Sequence, residues 1–583
     1  MLDHGTTFPA GRGIDNVLSS KFPMKTLALI SPRVARAAPA AALLLSAACG
    51  SDATGSNNVV PGGEVARVTV TPATSTLDVG GTAQLSAVAY DAAGAVLQGR
   101  SIAWSSSAGT VASVTSTGLV TGVSVGSSTI TATADGRRGT ADITVVPRGT
   151  SLGTITVNGQ QQFQTMTGWE ALMEIGQAEC DPRAYQTYRN EVLDRAANEV
   201  GINRIRVGLR NGFENPTDRW PQKVSGQLTF DQWKVYWFQV VNDNADPFNI
   251  NPAGFNWGYL DYVIEQLIIP LKQRLQARGD DLWFNLSYTG ANSGQLHRDN
   301  PDEYAEFVLA AFQHIQQKYG FVPNSLELVN EPNLQGWSAQ VVGRNLAAVS
   351  ARLRTAGFFP EFVGPTGSGV VASTQYFDQM INMPSVATEL DEISYHRFGQ
   401  TLPSDLQAIA QRGTQYRMRT AMLEHGGSGY TDLHEDLTLA NVSAWQQFGL
   451  AFCGTNDTGG MYFLVSGAKV GENNPVVNTG KMTKFLRQYF RFVSLRAVRV
   501  GATSADARFA PVAFRNANGK YTVVVKSSAG GSFSVGGLPA GTYAIDYTTA
   551  TDYMKPLPDV TITNSQSITT AIPDAGVLAI HAK

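Results

Sequence analysis

The feature that most constrains this chain is an alternation. From Gly168 to Gly467, short apolar runs of strand length are each followed by a longer stretch with helical spacing. Strands separated by such crossovers lie parallel, because each crossover carries the chain back to the end from which the last strand began. Eight runs can be read, at residues 165–169, 204–209, 282–287, 326–329, 362–364, 392–395, 421–423 and 461–465. They predict an α/β fold, a closed (β/α)8 TIM barrel. The clearest helix is Pro301–Tyr319, in which Tyr304, Phe307, Val308, Ala311, Phe312 and Ile315 share a face. Asn300 as N-cap, Pro301 in the first turn, Glu303 at the third position and Gly320 past the end punctuate it.

Both flanks change pattern. Residues 65–146 hold short alternating strands divided by Gly80-Gly81, Gly94 and Asp135-Gly136, which predicts an N-terminal all-β sandwich. After Phe485 alternation returns, with Asn518-Gly519 as a hairpin turn, and predicts a C-terminal β-sandwich. The run 154–157 precedes the barrel and is expected to pair with that last domain, since a lone strand leaves its backbone groups unsatisfied. The resulting division is an export segment at 1–49, a tether at 50–63, an Ig-like sandwich at 64–147, a joining strand at 153–163, the barrel at 164–485 and the second sandwich at 486–583. Residues 210–255 are too long for an ordinary connection, carry Trp220, Trp233 and Trp237, and are expected to wall a cleft.

Lys25, Arg33 and Arg36 followed by the apolar run 37–48 read as an export signal, with Met24 as an alternative start. Cys180 and Cys453 read as free small hydrophobes rather than a bridge. With 44 Lys and Arg against 47 Asp and Glu, and no basic cluster, nothing suggests nucleic acid; a neutral carbohydrate partner fits. No His, Asp or Glu group has metal-ligand spacing, so neither metal nor cofactor is expected.

Two segments carry chemistry. Leu326-Glu-Leu-Val-Asn-Glu-Pro-Asn333 is an apolar strand that stops at Pro332 and leaves Glu331 at its tip; Thr420-Ala-Met-Leu-Glu-His-Gly-Gly427 does the same for Glu424. They lie 93 residues apart (424 − 331), about three βα units of roughly 30 residues, so they would end strands four and seven of one barrel. Two carboxyl groups meeting at a barrel mouth can cleave a glycosidic bond, one protonating the leaving oxygen and the other attacking the anomeric carbon.

These motifs resemble known families. Trp104-Ser-Ser-Ser and Gly118-Leu-Val-Thr-Gly122 resemble the bacterial Ig-like group 2 domain, usually a spacer. Ser46-Ala47-Ala48-Cys49 resembles a bacterial lipoprotein signal, which implies lipidation of Cys49. It implies an exported protein that touches a membrane only through that anchor, at the outer membrane or cell surface, or else is secreted. The Asn-Glu-Pro tripeptide with its partner glutamate resembles the clan of retaining (β/α)8 hydrolases. Asn203-Arg-Ile-Arg-Val-Gly-Leu209, Glu392-Ile-Ser-Tyr-His396 and Phe485-Leu-Arg-Gln-Tyr-Phe-Arg-Phe-Val493 resemble glycoside hydrolase family 30 within it. That resemblance implies Glu331 as acid/base, Glu424 as nucleophile, Arg206 beside the nucleophile and His396 at the sugar. Asn330 would bind a sugar hydroxyl, Trp169 and Trp337 would stack on rings, His425 would line the site, and Tyr288 or Tyr395 would supply a hydroxyl. Glu331 is expected to have a raised pKa. Phe398 and the Tyr462-Phe463 pair depart from the family pattern. Asn-Glu-Pro-Asn333 also resembles the xylosidase-type family 39, and the Ig-like module suits a non-catalytic adhesion protein; both remain alternatives.

Overall fold

The computed structural model describes residues 63–124, 126–146, 152–173, 180–290 and 295–583. Cys49 and the export segment lie outside the described residues. Eight parallel strands close in chain order into a barrel: Gly168–Leu172, Arg204–Arg210, Trp283–Thr289, Ser325–Glu327, Glu361–Gly367, Leu390–Tyr395, Arg419–Met422 and Val442–Gly449, hereafter strands one to eight. Gly168 and Trp169 on strand one pair in parallel with Ala444 and Trp445 on strand eight, which seals it. Every residue of strand two is buried. Its Ile205, Val207 and Leu209 join the main apolar core, while Arg204 reaches Glu170 on neighbouring strand one and Glu392 across the barrel, and Arg206 reaches Glu424 past strand seven.

The eighth strand is not at 461–465 as the apolar pattern predicts. It is Val442–Gly449, whose buried Ser443, Gln446 and Gln447 break the apolar run that marks the other strands. Residues 463–466 belong instead to a three-stranded sheet with Ala451–Cys453 and Val476–Thr479. Tyr462 anchors that sheet: its hydroxyl accepts from the Gln447 amide at 2.9 Å and donates to the Glu170 carbonyl at 2.7 Å. Cys180 and Cys453 are joined in a disulfide rather than free, with Cα atoms 5.3 Å apart. Their separation of 273 residues is spanned only by the tertiary fold, so no local pattern announces the bond.

The helix Pro301–Tyr319 ends at Gly320 in the left-handed region, and Tyr304 from its first turn donates to the Leu328 carbonyl at 2.6 Å. Asn300 stands at its N-cap, but its amide donates backward to the Leu296 carbonyl at 3.0 Å. The short helix Gln295–Asp299 ends just there and supplies the acceptor.

The C-terminal domain is a nine-stranded sheet into which Gly153–Thr165 is laid before the chain enters the barrel. It runs antiparallel to Val498–Ser504 and parallel to Gly531–Gly536. The sheet folds about one core, where Phe509 meets Phe533 at 4.7 Å among Ile155, Val525 and Ile580, giving the sandwich arrangement. Residues 65–146 form an Ig-like all-β domain around Leu85, Val120, Ile130 and Ile143. Gly118 is required there: it has φ 80°, and a Cβ would stand 2.6 Å from the Leu85 carbonyl and 2.9 Å from the Trp104 ring.

Candidate active site

Two layers of charge fill the barrel. In the lower one, Arg204 donates to Glu170 at 2.5 Å and Glu392 at 2.7 Å, and Thr167 donates to Glu392 at 3.1 Å. Arg204, Glu170 and Glu392 have no more than 1% of their side chains exposed, so this layer is shut off from solvent. Burial pushes the Glu392 carboxyl up, but the Arg204 charge and hydrogen bonds outweigh it and hold it below the ordinary 4.5. Glu170 goes the other way, because burial outweighs the two arginines.

The upper layer is open. Arg206 donates to Glu424 at the end of strand seven and stands 3.6 Å from Glu327 and 3.4 Å from Asn330 Oδ1. Its guanidinium also lies 3.4 Å from His396 Nε2, while His396 Nδ1 lies 3.0 Å from Glu331 Oε1. A guanidinium can only donate, so Nε2 accepts, Nδ1 carries the hydrogen and His396 donates to Glu331. Arg206 is 2% exposed and His396 is 0%, whereas Glu331 and Glu424 are 18% and 13% exposed. The carboxylates face the mouth and the groups that hold them lie beneath.

One oxygen of Glu331, one of Glu424 and one nitrogen of His396 all fall within 4.8 Å of one another. This set could also serve a divalent cation by geometry. Arg206 argues against that use, since it already occupies Glu424 and its fixed charge faces His396. Glu331 has φ 50° and Thr366, whose carbonyl accepts its amide at 3.0 Å, has φ 51°. Left-handed backbone at a glutamate and a β-branched threonine costs about 1–3 kcal/mol each, a kind of strain that collects at functional sites.

Several expectations need correction. Glu331 is held below 4.5 rather than raised: burial pushes it up, but the hydrogen bond from His396, with the Arg206 charge, outweighs burial. Trp169 is not a stacking face; it is fully buried, stacked on Phe490 at 4.5 Å, with its indole N–H donated to the Val493 carbonyl. Trp337 is 2% exposed and packs against Tyr288 and Tyr304. The Tyr288 hydroxyl meets His297 Nδ1 at 3.1 Å, and Tyr395 donates to Asp436 at 2.6 Å, so neither serves Glu424. Tyr462 and Phe463 are likewise buried, off the barrel's last strand. His425 stays at the rim, its Nδ1 on Ser428 Oγ. Half-buried Phe398 lies between His396 and His425, with ring centroids 6.0 and 5.5 Å away, and is an aromatic beside the site. Glu327, 3.6 Å from Arg206, is a further residue of the site that a strand-end pattern does not pick out, although an acidic residue inside the run Leu326-Glu-Leu-Val marks a carboxylate with a buried partner.

A cavity of about 630 Å³ lies at the opposite end of the barrel, against Thr165, Leu282, Asn324 and Glu361 where strands begin. That face of a barrel serves stability rather than chemistry.

Residues 64–146 match the bacterial Ig-like domain (group 2) family. No curated protein sequence matches the chain. Among solved structures, the chain is similar to the catalytic domain of GH30 xylanase C from Talaromyces cellulolyticus, with a TM-score of 0.54 and 13% identity over 74% of this chain and 100% of that one. A conserved exported protein from Bacteroides fragilis gives 0.54 and 13% over 74% and 100%. The endo-β1,6-glucanase BT3312 gives 0.51 and 14% over 77% and 97%. At these identities the likeness is one of fold.

Proposed function

We propose that the protein is a retaining glycoside hydrolase that cleaves β-linked sugars in a poly- or oligosaccharide. The observation that carries this is the approach of Glu331 and Glu424 within 4.8 Å at the ends of strands four and seven. A separation of about 5–5.5 Å suits direct attack by one carboxylate, whereas inversion needs about 6.5–9.5 Å to admit a water. Arg206 holds Glu424 in place for attack on the anomeric carbon. Glu331, protonated on the oxygen that His396 does not hold, gives its proton to the glycosidic oxygen as that bond breaks. A sugar filling the mouth adds desolvation, the term that raises the Glu331 pKa. The resulting glycosyl ester on Glu424 is then hydrolysed by water, which Glu331 deprotonates, returning both carboxyls to their starting states. Asn330, its Oδ1 near Arg206, is left to donate its amide to the sugar 2-hydroxyl.

Similar folds whose names record xylanase and β1,6-glucanase activity support the substrate class. The test is a panel of aryl glycosides and polysaccharides offered to the wild type, Glu331→Gln and Glu424→Ala. Each variant should lose at least about 10²-fold in turnover while melting like the wild type; full activity in either defeats the reading.

We also propose export with lipidation at Cys49. The Cys180–Cys453 bond supports an oxidising compartment. Palmitate labelling that vanishes in Cys49→Ser is the expected result, and labelling that persists would refute it.

A further inference from the structure

The segment after strand two builds a second site that the reaction does not use. It is a cavity of about 260 Å³ walled by Asp218, Arg219, Tyr236 and Trp237, and none of Glu331, Glu424, Arg206 or His396 lines it. Its construction is specific. Gly212, immediately past strand two, lets the Tyr236–Trp237 backbone come so close that a Cβ would stand 2.6 and 2.5 Å from their carbonyl oxygens. Arg210, the last residue of strand two, lies 3.4 Å from the centre of the Trp237 ring. Buried Trp220 and Trp233, 5.0 Å apart, pack beneath. The wall is therefore rigid aromatic surface fixed to the barrel rather than a loose loop.

The polar groups are equally placed. Half-buried Asp218 is fixed by the Trp220 amide at 2.8 Å, and burial pushes its carboxyl up. Arg219 stands over the Tyr236 ring at 5.0 Å; its Nε is buried without a hydrogen-bond partner among the described residues, and its side chain donates to Gln222 at 3.3 Å. Aromatic faces beside a carboxylate and a guanidinium suit a pyranose: the rings take its C–H face and the charged pair takes its hydroxyls. The volume is below the roughly 300–1,000 Å³ of pockets that enclose drug-sized ligands, so it fits one ring of a longer chain.

We infer that this cavity is an accessory glycan subsite that holds one neutral pyranose unit of a polysaccharide outside the reaction centre. The inference rests on the glycosidase reading for its ligand class, and its test is independent of turnover. Full-length Glu424→Ala protein is run in native gels containing xylan, β-1,6-glucan, β-1,4-glucan, mannan or galactan. At least one polymer should retard it, and adding Tyr236→Ala or Arg219→Met should raise the apparent Kd about tenfold, with the melting transition unmoved. If Tyr236→Ala disturbs melting, Arg219→Met decides. Retardation by none of the five polymers, or equal retardation with and without the substitutions, overturns the subsite. Failure of the glycosidase reading would show instead as full turnover by the Glu331 and Glu424 variants, which these gels do not read.

Discussion

Arg204 and Arg206 leave strand two on the same face, yet one sits in a closed layer and the other beneath an open one. Arg204 is shared between two glutamates that no solvent reaches. Arg206 is just as buried and stands 3.6 Å from buried Glu327, but its hydrogen bond goes to Glu424, which is 13% exposed. The same pairing of guanidinium and carboxylates thus fixes the barrel's interior at one level and presents a carboxylate to the mouth at the next. The difference lies in what the carboxylates can touch, so losses at the two arginines should separate stability from turnover.

The largest expected effect is on the lower layer. Arg204→Met leaves Glu170 and Glu392 without their shared cation and should lower the unfolding free energy by about 3–5 kcal/mol, read by urea denaturation. Arg206→Met should lose some stability too, because it strips buried Glu327 of its cation, but its main loss should be in kcat, by about 10²-fold; equal stability losses and unchanged turnover would erase the contrast. Reducing the Cys180–Cys453 bond should cost roughly 2–4 kcal/mol by freeing the unfolded chain, seen as a lower melting temperature in dithiothreitol.

The smallest effect is a shift in pH dependence. Glu331 and Glu392 are held below 4.5, so each contributes stability that is present above that pH and is lost as pH falls through its folded value. For turnover the needed form of Glu331 is protonated, so kcat/KM declines as pH rises through its pKa. His396→Phe removes a group that lowers that pKa and leaves burial less opposed, so the declining limb should move to higher pH. An unmoved limb would mean His396 does not act through Glu331.

Much of this architecture was legible before any coordinates. Strands two to seven stand out as apolar runs, and glutamates at the ends of two of them mark the mouth. Strand one begins at Gly168 rather than Thr165, because Thr165 still pairs with Val498 in the C-terminal sheet. Strand eight escaped because its interior is lined by Ser443, Gln446 and Gln447, which look like surface in a one-dimensional pattern. Trp169, Trp337, Tyr288 and Tyr395 were misassigned for a different reason. Three lie on barrel strands and Trp337 on the connection after strand four, and composition does not say whether a ring there points to the mouth or into the packing behind it. The lowered Glu331 pKa was hidden too, since it depends on His396, 65 residues away, donating across the barrel.

The central claim is that Glu331 and Glu424 are close enough for attack without an intervening water. The most direct measurement is the anomeric configuration of the first-formed sugar when a β-glycoside is cleaved, followed by proton NMR before mutarotation. The account predicts that the β-anomer appears first; the α-anomer appearing first would contradict it.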